Sequence, residues 1–328
     1  MVEYSLDYRV EANGQDITKL IKEHSGHITT TDEAGYQSDK LSIILNDAGF
    51  TLPDAGAELA VYMGYKDNLR LMGKYVVDEV AINFPPDSLT ISANAAPFDE
   101  SKFGLTPLQS QKSRSFPAGT ISDLVATIAN DHGLVAAVAP SLVQVPLPHI
   151  DQLDESDMNV LTRIAKDHDA IAKANGGKLL FVERGEGKNI RGQQMPTITL
   201  TKNQVTSGSV KLSQREAYKS VTAIFRDTAA SADIEVTAGA GDPVYRLKCM
   251  YNDMAAATTA VQKQLKAFAR GKATLSLSLP FTPDLVAESR LILKQFRTGI
   301  DGEWSVTKAT HTMTASGGVT SVEGEAVV

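Results

Sequence analysis

The chain has 328 residues, 42% apolar and 22% charged, with a net charge of −7, which leaves room for two or three ordinary domains. Mild acidity excludes the clustered basic footprint of a duplex-binding protein. The single cysteine, Cys249, excludes an internal disulfide and suits a reducing compartment. No apolar run approaches the ~18–20 residues of a membrane span, and the opening MVEYSLDYRVEANGQD lacks the apolar core of a signal peptide.

Residues 1–99 read as β-rich. Lys40–Leu45 alternates, with Leu41, Ile43 and Leu45 on one side, and a turn-prone Asn46-Asp47-Ala48-Gly49 follows. Further strands are predicted over 58–65, 73–84 and 89–95, the last two joined by a turn at Pro85-Pro86-Asp87-Ser88. Short strands at this spacing suggest a small antiparallel barrel or sandwich. Residues 100–118 are polar and read as a linker. A helix is predicted over 120–132, with Thr120 and Asp123 at capping-box spacing, Leu124, Val125, Ile128 and Ala129 on its buried face, and Gly133 as its stop. A second helix follows in DESDMNVLTRIAKDHDA, residues 154–170, after an extended segment over 145–150. Strands are predicted over 178–183 and 197–201, which makes the middle region α+β. The last third returns to strands over 219–225, 232–237, 274–279, 303–315 and 319–327, with a break at Gly239-Ala240-Gly241-Asp242-Pro243, a turn at Gly317-Gly318 and a helix near 253–270. Residues 274–279 keep a strict period of two, with Leu275, Leu277 and Leu279 inward.

The fold class expected is therefore α+β: two antiparallel β-barrel domains with a small α+β insert between them. The expected domains are 1–99, completed by strands from about 211–238, then 100–210, then 239–328 with its helix.

Candidate chemistry is sparse. In the 154–170 helix, Asp154 and Asp157 stand at capping-box spacing, and with Glu155 they favour the positive end of the helix dipole. Met158, Leu161, Ile164 and Ala165 form a buried face, Arg163 can pair with Asp167, and His168 sits near the helix end. Capping explains these acids better than catalysis. His24 and His27 lack a third metal ligand nearby, His132 fits a helix end, and His149 and His311 stand alone. GEGKN at 185–189 lacks the spacing of a phosphate loop, and GAGD at 239–242 precedes a proline rather than a helix. Cys249 has no histidine partner in sight and reads as a buried structural thiol. No catalytic residue, metal or cofactor is expected.

Four blocks resemble the late control protein D family, the baseplate hub proteins of contractile phage tails and related bacteriocins, which are distantly similar to the N-terminal part of type VI secretion spike proteins. The first is DEAGYQSDKLSIILNDAG with LPDAGAELAVYMGY and GKYVVDEVAINFPPDSLTISANAA. The second is RSFPAGTISDLVATIANDHGL, and the fourth is DGEWSVTKATHTMTASGGVTSVEGE. The third is the most diagnostic: Gln152, Glu155, Ser156, Asp157, Leu161, Arg163, Ile164 and Ala165 mark the insert helix. One departure is Val286-Ala287-Glu288, where the family pattern has a glycine-bearing turn.

The resemblance implies two tail-tube-like barrels per chain and a homotrimer. Such a ring would match a sixfold tail tube protein on one face and seat a trimeric central spike protein on the other, and would initiate tube assembly. Tape-measure and other baseplate proteins are further expected partners, with no membrane insertion and no specific nucleic-acid binding. The expected place is the baseplate of a virion or tailocin particle, after synthesis in the bacterial cytoplasm. No lysozyme-like or needle-like extension is expected after Val328. The rival expectations are a cell-wall hydrolase using Asp154, Glu155 and Asp157, and a tail-tube subunit.

Overall fold

The computed structural model describes residues 5–34, 38–46, 56–95, 107–175, 178–184, 197–212, 218–227, 230–251, 253–270 and 273–327. It is mostly β, with four α-helices among the described residues: α1 (Thr18–Glu23), α2 (Ile121–Asp131), α3 (Asp157–Asp167) and α4 (Met254–Arg270).

The first and last thirds of the chain share one 13-stranded sheet. Its path starts at the edge strand Ser207–Leu212 and runs through Ala273–Pro280, Gly317–Ala326 and Gly302–Thr314. It then crosses to His27–Glu33 and continues through Lys40–Asn46, Ser88–Ala95, Asn68–Asn83 and Glu58–Tyr65 to Leu6–Ala12 and Gln15–Asp16. The crossing is antiparallel, with Lys308 opposite Glu33 and Met313 opposite Ile28. Thr197–Thr201 joins the last third by pairing parallel with Arg290–Lys294. The path is open at both ends, and no ring of strands closes among the described residues.

Alternation decides which faces are buried. Leu41, Ile43 and Leu45 are 2%, 0% and 3% exposed and lie in one apolar core with Tyr8, Val61 and Leu89. Leu275, Leu277 and Leu279 lie in a second core with Leu291, Trp304 and Val322. The predicted bounds at Glu58–Tyr65, Lys178–Glu183 and Thr197–Thr201 coincide with the observed strands.

Several expectations are corrected. Strands Ser220–Asp227 and Ala232–Gly239 do not complete the first β-rich part. They pair with each other and with Val244–Tyr251 in a separate three-stranded sheet, because Val221, Ala223 and Phe225 bury against Ala257 and Val261 of α4 to make a core of their own. The polar stretch read as a linker contains the strand Gln111–Phe116, antiparallel to Ile150–Ser156. The hairpin turn near the C-terminus falls at Ala315-Ser316, and Gly317 already opens the next strand.

The insert is a compact α+β unit. Strands Val135–Val138, Lys178–Glu183 and Ala170–Asn175 form its main sheet. On it lie α2, capped by Thr120 and Asp123 as the sequence predicts, and α3. Its core runs from Leu108 to Phe181 and takes no residue from outside that span.

Candidate functional site

The diagnostic motif folds as a strand, a bulge and a helix. Ile150–Ser156 slips register against Gln111–Phe116 between Gln152 and Glu155. Leu153 and Asp154 stand against the single residue Ser113, one residue more than regular pairing allows, and both project outward; Asp154 takes φ 46° and is pinned by Ser113, whose hydroxyl donates to its Oδ1 at 2.9 Å and accepts from its N–H at 3.1 Å. Ser156, and not Asp154, then caps α3, its Oγ accepting from the Asn159 N–H at 3.2 Å.

Asp157 has a different task from the one expected of it. It opens α3, yet its side chain is 0% exposed. Oδ2 accepts from Lys112 Nζ at 2.7 Å and from His132 Nε2 at 2.7 Å. Oδ1 accepts from Arg114 Nη2 at 2.6 Å and from Gln152 Nε2 at 2.9 Å. Arg114 also donates through Nε to Gln152 Oε1 at 2.9 Å, reaches Asp131 with Nη1, and stacks over the Phe116 ring. Burial alone would raise the Asp157 carboxyl, but the donated bonds from Lys112, His132, Gln152 and Arg114 outweigh it and hold the group well below the usual carboxylate range. The cluster ties the two-stranded ribbon, the end of α2 and the start of α3 to one carboxylate.

The remaining motif residues serve the same unit. Leu161, Ile164 and Ala165 enter the insert core beside Val160, while Met158 is only partly buried against it. Arg163 does not pair with Asp167; its Nη2 donates to Glu155 Oε2 at 3.0 Å, back across the helix start. His132 does end α2, but its ring turns inward to Asp157 instead of toward solvent.

Two further ion clusters lie where the insert meets the large sheet. Lys173, on Ala170–Asn175, reaches Asp39 and stands 3.7 Å from Asp32. Its Nζ also donates to the Glu33 carbonyl at 3.4 Å, and Glu33 pairs with Lys308 at 3.3 Å. Burial, then the nearby Asp32, push the Asp39 carboxyl up to about 6 against the pull of Lys173. In the second cluster Arg270 of α4 donates to Asp169 at 2.6 Å and lies 3.7 Å from Glu325, which Arg184 approaches at 3.5 Å. None of Lys173, Asp39 or Arg270 stands out in the sequence, because Lys173 lies 134 residues from Asp39 and Arg270 lies 101 from Asp169.

The other candidates stay apart. His24 ends α1, with Nδ1 3.3 Å from the Asn46 carbonyl, and His27 begins a strand. His149 lies at the surface beside Asp151. His311 is buried with its nitrogens 3.0 Å from Thr320 Oγ1 and 2.9 Å from the Leu285 carbonyl, and burial pushes it down to about 4. Among the described residues no group of three or more His, Cys, Asp or Glu side chains has the geometry to hold a metal ion. GEGKN at 185–189 and the Cys249 side chain lie outside the described residues.

Comparison with known proteins extends these observations. The family model described as phage tail baseplate hub (GPD) matches residues 102–317. A probable baseplate hub protein of Escherichia phage P2 is 32% identical over 97% of this chain and 92% of its own length. Among solved structures, the tail protein from Neisseria meningitidis MC58 superposes with a TM-score of 0.73 at 14% identity, covering 98% of this chain and 97% of its own. A component of the type VI secretion system of E. coli superposes with a TM-score of 0.56 at 10% identity, covering 97% of this chain and 77% of that one.

Proposed function

Because the chain belongs to the phage tail baseplate hub (GPD) family and is a baseplate hub of a contractile tail, we propose that three copies close a ring that adapts a sixfold tail tube to a threefold central spike. The observation that carries this reading is the pair of β-rich parts in one sheet, each over its own apolar core. Two similar units per chain, in three chains, give six around a ring. The strand edges at both ends of the sheet path, unpaired among the described residues, supply backbone donors and acceptors for a neighbouring copy.

The role is structural in this reading. The acids that a hydrolase would use are engaged as structural groups, Asp157 inside its ion cluster and Glu155 with Arg163. The partners proposed are two further copies of the chain, a trimeric spike protein on one face and a tube protein on the other, with tape-measure and other baseplate proteins nearby. An obligate ring of this kind buries on the order of 2,000 Å² or more per interface.

Cryo-electron microscopy of the purified particle tests the proposal. A threefold ring of this chain between tube and spike is expected. A chain stacked repeatedly along the tube would make it a tube subunit instead, and loss of wall degradation in a Glu155→Gln particle that still assembles would restore the hydrolase.

A further inference from the structure

Among the described residues the insert shares no apolar core with the rest of the chain, which forms a β platform made of the large sheet and the three-stranded sheet under α4. Every residue in the insert core lies between Leu108 and Phe181, and none of them contributes to the other three cores. Two clusters of charge cross between the two bodies, beside Ile171, which is 4% exposed and stands outside the insert core on the same strand face as Lys173. On one side Lys173 of the insert enters between Asp32 and Asp39 of the platform and is 17% exposed. Asp32 is itself fixed, its Oδ2 accepting from the Ala287 N–H at 2.9 Å, and Asp39 accepts from the Glu33 N–H at 3.2 Å.

On the other side four groups alternate in sign: Asp169 and Arg184 of the insert, Arg270 and Glu325 of the platform. The Arg184 N–H donates to the Asp169 carbonyl at 3.0 Å and closes that ring of contacts. Arg270 and Glu325 are 12% and 14% exposed, so these pairs are held largely out of water. Lys263 of α4 faces Asp167 and Asp169 across the same junction.

We propose that the insert is a separable body latched to the β platform by two ionic clasps, Lys173 between Asp32 and Asp39, and Arg270 bridging Asp169 and Glu325. Neither clasp brings the non-directional burial energy that fuses domains into one core, and polar junctions between domains permit relative motion by default. Buried ion pairs fix geometry while adding little net stability over an apolar contact. Opening the clasps therefore moves the insert as a unit and leaves all four cores intact. In a particle, charged groups of a neighbour, or a change in ionic conditions, would act on the same clasps.

The test measures a distance in the full chain. Spin labels go at Val135→Cys on the insert and Phe84→Cys on the platform, in a Cys249→Ser background; these two positions are 62% and 78% exposed. Labelled chains are mixed with excess unlabelled chain, so that only distances within one chain are read. The unmodified clasps should give one narrow distance distribution. Lys173→Met with Arg270→Met should add a longer population with near-ultraviolet circular dichroism retained, and Lys173→Arg with Arg270→Lys should return most of the narrow one. An unchanged narrow distribution in the methionine variant would overturn the proposal, because something other than charge would then hold the junction. Loss of the near-ultraviolet signal would overturn it too, because the clasps would then be part of a single cooperative fold.

Discussion

Asp157 carries its charge where water does not reach it, and four donors make that tolerable. Removing the charge while keeping the shape leaves Lys112 and Arg114 facing an amide. Asp157→Asn should therefore cost about 3–5 kcal/mol, the range for breaking a buried pair from one side, read as a lowered denaturation midpoint of the full chain. The pH dependence follows from the same contacts. Asp157 titrates lower in the folded chain than unfolded, so its contribution is fully present above about pH 4 and is lost as pH falls toward its folded value. Asp39 works in the opposite direction. Its carboxyl, raised to about 6, takes up a proton in the folded chain between about pH 4 and 6, so its contribution to stability falls as pH rises through that window. A carbon-detected titration of Asp39 should show a midpoint near 6, and Asp39→Asn should flatten the stability profile between about pH 4 and 6 while leaving the acid limb due to Asp157. Glu288 adds a smaller lesson: it takes φ 64°, in the region that favours glycine, at the turn where the resemblance leads one to expect a glycine.

At the scale of elements, the parts legible in sequence were those whose signal is local. The α2 capping box and the Leu275-Leu277-Leu279 alternation each lie within a few residues, and both appear as read. The Gln111–Phe116 strand escaped notice because its alternation is polar: Lys112, Arg114 and Phe116 share one side, and the first two aim at Asp157. The start of α3 was misread for a related reason. Spacing made Asp154 a cap, but the bulge turns it outward and leaves Ser156 to do the capping. Ser156→Ala should destabilise the chain by about 1 kcal/mol through the lost cap, with an unchanged denaturant slope. Gly239 ends its strand at φ 80°, and a Cβ there would stand 2.3 Å from the Lys219 carbonyl oxygen. Gly239→Ala should destabilise the chain by more than about 1 kcal/mol, read from the same unfolding curve, an outcome that a tolerant, open turn would not give.

At the scale of the whole molecule, the ring reading predicts a solution mass of three times 35.1 kDa, measured by light scattering on the purified chain; a monomer at all concentrations would count against a preformed ring. By itself the sequence determined the mostly β character, the α+β insert, most strand and helix positions in the middle of the chain, and, through the Gln152–Ala165 motif, the family. The element positions are consequences of periodicity, capping and local spacing, which act over a few residues, whereas the family comes from the resemblance of whole residue blocks. Only the tertiary structure decided that the first and last thirds share one sheet through Ile28 and Met313. It also gave Ser220–Asp227, Ala232–Gly239 and Val244–Tyr251 their own sheet under α4 and placed Asp157, Lys173 and Arg270 in ion clusters. Those pairings join residues tens to hundreds of positions apart, and which strand edge or charge meets which is settled when cores bury their surfaces, which no local pattern encodes.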